Sequence, residues 1–219
     1  MTNDQKSDRP DTSDMVAVHK VFRSAFGATP AYVESAVGDD ERRALLADYY
    51  ANVLDFLDVH HDGEEELVFP LLIERAPEHA GAVQTAIEQH KRAVEVLESA
   101  KIALADWQKR GDQAGPAMVS ACKELDEVLS AHLDEEEATI LPLATEHLTV
   151  EEWGMLPGHG MSRFRGDKIW LIMGLIRENF TPEQRSAMLE GMPPPARQMW
   201  ETMGESSFNQ MIAEVRQTA

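Results

Sequence analysis

Residues 60–72 read HHDGEEELVFPLL, and residues 132–144 read HLDEEEATILPLA. Aligned without gaps, the two stretches share His, Asp, Glu, Glu, Pro and Leu, so a His stands four residues before a Glu and ten before a Pro in each: His60, Glu64, Pro70 and His132, Glu136, Pro142. Each copy also has an upstream His-Lys pair. His19-Lys20 lies 41 residues before His60, and His90-Lys91 lies 42 residues before His132. A repeat of this length marks two similar helical hairpins, and it settles the architecture before any other feature is read.

On an α-helix, positions i and i+4 lie about 40° apart and about 6 Å along the axis, so His60 and Glu64 point the same way. Both continue an apolar stripe of Leu57, Leu67 or Val68, and Leu71, while His132 and Glu136 continue Leu125, Val128 or Leu129, and Ile140. That places them toward the interior of a helical bundle. Burying imidazoles and carboxylates in an apolar core without partners costs several kcal/mol per charged group. A shared pair of metal ions removes the cost, and imidazole with carboxylate suits iron, thiolate being absent. A solvent-facing helix ion pair explains one such His/Glu pair, worth a few tenths of a kcal/mol. It does not explain two copies, each with an upstream His at nearly equal offset.

The neighbouring pair His61 and Glu65 obeys the same spacing on a face nearly as apolar. The repeat favours His60 and Glu64, because His132 aligns with His60 while His61 aligns with Leu133. His61 and Glu65 therefore stand as a possible extra ligand or as supporting groups. The acidic runs 64–66 and 135–137 read mostly as solvated helix faces.

Outward from the repeat, punctuation falls where helices stop. Gly27 and Pro30 break the first helix, Gly38-Asp39-Asp40 opens the second, Ala76-Pro77 divides the second from the third, and Gly111 and Pro116 divide the third from the fourth. Strand-like alternation is missing. The expectation is an all-α, up-down antiparallel four-helix bundle over residues 15–148 with a smaller C-terminal helical extension over 149–219. Residues 1–14 read as a disordered tail. Thr149 with Glu152, and Thr181 with Gln184, are capping boxes that open helices of the extension.

The 219 residues carry 20 Lys+Arg against 39 Asp+Glu, a net charge of −19, and residues 149–219 account for only two of those negative charges. So acidic a chain is unsuited to nucleic acid or anionic membrane surfaces. Its longest apolar-rich run, residues 169–176, is far short of the roughly 18 residues that span a bilayer. A single cysteine, Cys122, rules out an internal disulfide or a multi-Cys site and reads as a small buried hydrophobe. The polar N-terminus has no signal-peptide character, and a cytoplasmic location is expected. His79 and His147 read as helix-end residues, His159 in Pro-Gly-His-Gly as a surface loop residue, and Tyr49 as core. Eight of the 11 Met follow residue 150, where packing onto the bundle is the ordinary reading and a partner-binding surface the alternative.

The stretches VHKVFRSAFG, HHDGEEELVFP, EQHKRAVEVL and HLDEEEATILPLA resemble the hemerythrin-like proteins of the HHE cation-binding family over about residues 15–148. The extension resembles the tail of bacterial, notably actinobacterial, members. The resemblance implies a non-heme di-iron centre, oxo- or hydroxo-bridged. One hairpin would supply His19, His60 and Glu64, the other His90, His132 and Glu136, with the two carboxylates bridging the metals. Oxygen-carrying members have a second His one turn from the first on the third helix. Here those positions are Ala86 and Val94, which leaves a more open metal pair unless His61 supplies the missing ligand.

The functions implied are reaction with peroxide (catalase-like), O2 or NO in oxidative or nitrosative stress. The alternative is an iron- or oxygen-sensing module without turnover, signalling through the C-terminal helices to a protein partner or a second copy. Ferritin-like di-iron bundles rely on Glu-x-x-His, and no His here has a Glu three positions earlier. HExxH and Gly-rich phosphate loops are also missing.

Overall fold

The computed structural model describes residues 9–217. The bundle is laid down by seven helices: α1 (Ser13–Gly27), α2 (Thr29–Ser35), α3 (Asp40–Gly63), α4 (Phe69–Arg75), α5 (Ala80–Arg110), α6 (Gly115–Glu135) and α7 (Leu141–His147). Helix α1 with α2, α3 with α4, α5, and α6 with α7 form four rods, and α1 packs on α3 and α6 while α5 packs on both as well. No strand occurs among the described residues, so the all-α four-helix expectation holds.

The two copies of the repeat share a local device. A single π-helical turn, Glu64–Val68, joins α3 to α4, and another, Glu136–Ile140, joins α6 to α7. Pro70 and Pro142 sit in the first turn of the helices that follow. Proline has no N–H to donate and crowds the carbonyl one turn back. One extra residue per turn relieves that crowding, so the rod continues. It also re-phases the helix: Val68 and Leu72 are buried, whereas Leu67 and Leu71 from the expected stripe are only half-buried.

Two apolar cores flank the level of the repeat histidines. One includes Leu54, Leu57, Leu97, Leu125 and Leu129, the other Val68, Phe69, Leu72, Val83 and Ile140. Cys122 and Tyr49 are buried, as expected.

The extension comprises α8 (Val150–Trp153), α9 (Leu156–Arg163), α10 (Ile169–Glu178), α11 (Pro182–Gly191), α12 (Pro194–Met199) and α13 (Glu205–Val215). Both expected capping boxes form, at Thr149 with Glu152 and at Thr181 with Gln184. Helix α10 lies against α1 and α3, and its Leu171, Ile172 and Leu175 belong to the same core as Leu54 and Leu57. Bundle and extension thus share one interior.

Two expectations need correction. Of the tail expected over 1–14, residues 1–8 lie outside the described residues, but residues 9–14 are placed: Pro10 is buried, α1 begins at Ser13, and Gln184 donates to the Ser13 hydroxyl at 2.8 Å. His159 lies on α9 and not in a loop, because Pro157 occupies the first turn, where its missing N–H costs nothing.

Candidate metal centre

Between the two cores, four rods deliver polar side chains that are almost wholly buried. His19 comes from α1, His60 and His61 from α3, Glu64 and Glu136 from the two π turns, His90 from α5 and His132 from α6; none is more than 8% exposed. Their potential ligand atoms divide into two groups, His19, His60, Glu64 and Glu136 in one, and His61, His90 and His132 in the other, each group within a 4.8 Å span. All six residues expected from the repeat converge. His61, expected as an extra ligand or supporting group, joins the second group.

The carboxylates reach across the groups. Glu64 places Oε1 3.5 Å from His60 Nε2 and Oε2 3.4 Å from His90 Nε2. Glu136 Oε2 lies 3.4 Å from His19 Nε2 and 3.6 Å from His132 Nε2. Each π-turn glutamate therefore joins a His on its own rod to the upstream His of the other hairpin, the crossed arrangement that a twofold repeat produces.

Hydrogen bonds at the outer ring nitrogens fix which tautomer is present. His19 Nδ1 meets Glu137 Oε1 at 2.9 Å, His90 Nδ1 meets Glu65 Oε1 at 3.0 Å, and His132 Nδ1 meets Gln89 Oε1 at 3.2 Å. All three oxygens are acceptors, so each Nδ1 carries a proton and each Nε2 points inward; in the neutral rings of His90 and His132 that inner nitrogen is a lone pair. His90 Nε2 and His132 Nε2 then face one another at 3.2 Å, lone pair to lone pair. Glu65, expected as an extra ligand or supporting group, and Glu137, which the sequence places on a solvated face, are the equivalent residues of the two repeats and make the same contact. Glu66, the third acid of that run, pairs with Arg163 of α9 instead.

In the absence of a cation, burial favours the uncharged form of His60, His61, His90, His132, Glu64 and Glu136. It pushes His60 and His61 well below the ordinary imidazole range and His132 down to about 3, and it lowers His90, with the carboxylates of Glu136 and Glu65 opposing. It pushes the Glu64 carboxyl up to about 8 and, with the neighbouring Glu64, raises Glu136 well above the carboxylate range. Neutral imidazole is the form that ligates a cation.

The donor set fits a metal on its own terms. His19 Nε2, His60 Nε2, both nitrogens of His61, both oxygens of Glu64 and Glu136 Oε2 are buried without a hydrogen-bond partner. Buried polar groups are normally paired. Seven converging nitrogen and oxygen atoms lack protein partners, and a cation would satisfy the lone pairs among them. Phe22 packs on the His60 ring with centroids 5.2 Å apart, and Phe69 packs on His90 at 5.1 Å, so the rings are held from behind by apolar surface.

A model of the Hemerythrin HHE cation binding domain matches residues 11–144. Neither a curated protein nor a solved structure matches the chain. The matched span contains every residue of the buried cluster and ends within α7.

Proposed function

The chain belongs to the hemerythrin HHE cation-binding family, and on that premise we propose that it holds two bridged iron ions and reacts with a small oxidant: peroxide, O2 or NO. The observation that carries this is the unequal division of the imidazoles, two with both carboxylates in one group and three in the other.

Two irons offer about six positions each. Five imidazoles, two carboxylates shared between the ions and one oxygen from outside the protein would fill about eleven of about twelve. His61 would thus supply the imidazole that α5 lacks in a second copy, and the group of His19 and His60 holds one imidazole fewer than the other. Iron there would supply electrons and Lewis acidity. This chain's residues do the rest. Glu65, Glu137 and Gln89 hold the tautomers, Glu64 and Glu136 bring negative charge to the cations, and Phe22 and Phe69 keep bulk water away.

Peroxide is the substrate we favour for a first test, since disproportionation returns oxygen and water with no external reductant. The rival reading, a sensor whose extension detaches, is disfavoured by the shared interior of Leu54 and Leu57 with Leu171 and Ile172.

The test is the metal content and optical spectrum of the purified protein, then hydrogen peroxide addition at an oxygen electrode. About two irons per chain with near-ultraviolet charge-transfer bands and evolved O2 support the full reading. Two irons without turnover redirect it to O2 or NO binding. No metal after anaerobic ferrous reconstitution overturns it.

A further inference from the structure

The surroundings of the buried cluster are nearly duplicated by the repeat, and one basic side chain breaks the duplication. Asp62 aligns with Asp134 and Glu65 with Glu137. On the upstream rods His19 aligns with His90, and the residue one turn further on, Arg23, aligns with Val94. Arg23 places Nη2 2.7 Å from Asp134 Oδ1 and 3.4 Å from Glu137 Oε1, and its Nη1 donates to the Ser130 carbonyl at 3.4 Å. Val94 is exposed and uncharged, and among the described residues Glu65 pairs with His90 and with no Lys or Arg.

The oxygen that Arg23 approaches is the one that His19 uses. Glu137 Oε1 accepts from His19 Nδ1 at 2.9 Å and faces Arg23 Nη2 at 3.4 Å, whereas Glu65 Oε1 accepts from His90 Nδ1 alone. A carboxylate raises the basicity of the imidazole whose N–H it accepts, and so strengthens that ring as a ligand. A guanidinium at the same oxygen draws the negative charge away from the ring. It also adds a positive charge on the side of His19, which repels a cation there. Asp134 does not cancel the difference, because Asp62 stands in the equivalent place on the other side. The Arg23 side chain is 29% exposed, so solvent screens its charge only in part.

We infer that Arg23, acting through Glu137, makes the position bounded by His19 and His60 the weaker of two metal positions. The chain then fills the group of His61, His90 and His132 first and releases the ion beside His19 first. This rests on the two-iron reading above. Arg23 touches no candidate ligand atom; it is a positioning residue that sets how strongly His19 donates. The third imidazole of the other group works in the same direction, and substitution of Arg23 isolates the share that belongs to charge.

The test is stepwise removal of ferrous iron from the loaded full-length protein by a chromophoric chelator under anaerobic conditions, which yields two dissociation constants. Two unequal constants are expected. Arg23→Met keeps the aliphatic stem and removes the charge; it should tighten the weaker constant about tenfold, the lower end of what a supporting group contributes, and leave the tighter one unchanged. Arg23→Lys retains the charge and should restore the original pair. Val94→Arg, at an exposed position on the other side, should weaken the tighter constant instead. A merely structural role for Arg23 has the opposite sign, since a lost packing contact loosens the site. Equal constants in the unaltered protein, a weaker constant that Arg23→Met leaves alone or loosens, failure of Arg23→Lys to restore it, or a tighter constant indifferent to Val94→Arg overturns the inference. With two irons still bound per chain, any of these results leaves the two-iron reading standing, whereas a chain that binds no iron removes both.

Discussion

His19 Nδ1 and Glu137 Oε1 lie 2.9 Å apart across 118 residues of sequence, and the repeat duplicates the contact between His90 and Glu65 at 3.0 Å. In each, a partly exposed carboxylate fixes the proton on the outer nitrogen, so that the inner one is free to ligate. Supporting partners of this kind are typically worth 10- to 100-fold in metal affinity. Glu137→Ala should lower affinity by that factor in competition with a chelator, with far-UV circular dichroism unchanged. Glu65→Ala should do the same through His90.

His61 has both ring nitrogens buried and unpartnered, beside His90 at a centroid distance of 4.3 Å and His132 at 5.5 Å. It is the third imidazole of its group. His61→Ala should reduce bound iron from about two per chain toward one, read by elemental analysis, and leave a bundle that still melts cooperatively. Retention of both irons at full affinity would remove His61 from the ligand set.

How much of this was legible follows from where each signal sits. The spacing of His60, Glu64 and Pro70, repeated at His132, Glu136 and Pro142, is local and periodic, so the bundle and six of the seven clustered residues could be read directly. His61 was the harder case. Its alignment with Leu133 counted against it, yet Leu133 is fully buried, and the same comparison therefore marks position 61 as inward-facing. The π turns were signalled only by a proline inside an otherwise continuous helical run. The contact of His159 with Glu66 has no sequence signal, because the two are 93 residues apart and are brought near only by packing of the extension.

Gly174 packs α10 against α13 so closely that an added Cβ would lie 2.2 Å from the Phe208 ring. Overpacking of this kind costs about 1–3 kcal/mol. Gly174→Ala should lower the unfolding free energy by that amount and speed proteolysis within residues 149–219, leaving iron content unaltered, since neither Gly174 nor Phe208 belongs to the cluster.

Arg75 at the end of α4 grips Glu152 of α8 through both carboxylate oxygens, at 2.8 and 2.6 Å, and also donates to the His147 carbonyl. The guanidinium, with the Thr149 backbone N–H, holds the Glu152 carboxyl down at about 2. A depressed folded value means the contribution is complete above the ordinary carboxylate range and is lost progressively as pH falls from that range to about 2. Protection of α8 amides from hydrogen exchange, corrected for intrinsic rates, should be alike at pH 7 and pH 6. Glu152→Ala, which also removes the capping box, should reduce it at both.

Metal removal bears on the whole site at once. Without a cation, the lone pairs of His90 and His132 confront each other at 3.2 Å, and both oxygens of Glu64 remain buried and unpaired. Each unsatisfied group costs about 1–3 kcal/mol. A metal present at about a thousandfold above its dissociation constant stabilises the folded chain by about 4 kcal/mol, which for a protein of this size corresponds to roughly 10 °C in Tm. Calorimetry of metal-loaded and chelator-treated protein should show that difference. The apolar cores on either side of the cluster are complete in themselves, so the chelated protein should keep its helical circular dichroism while melting earlier. Equal melting temperatures, with chelation verified by elemental analysis, would mean that the buried lone pairs do not serve a metal.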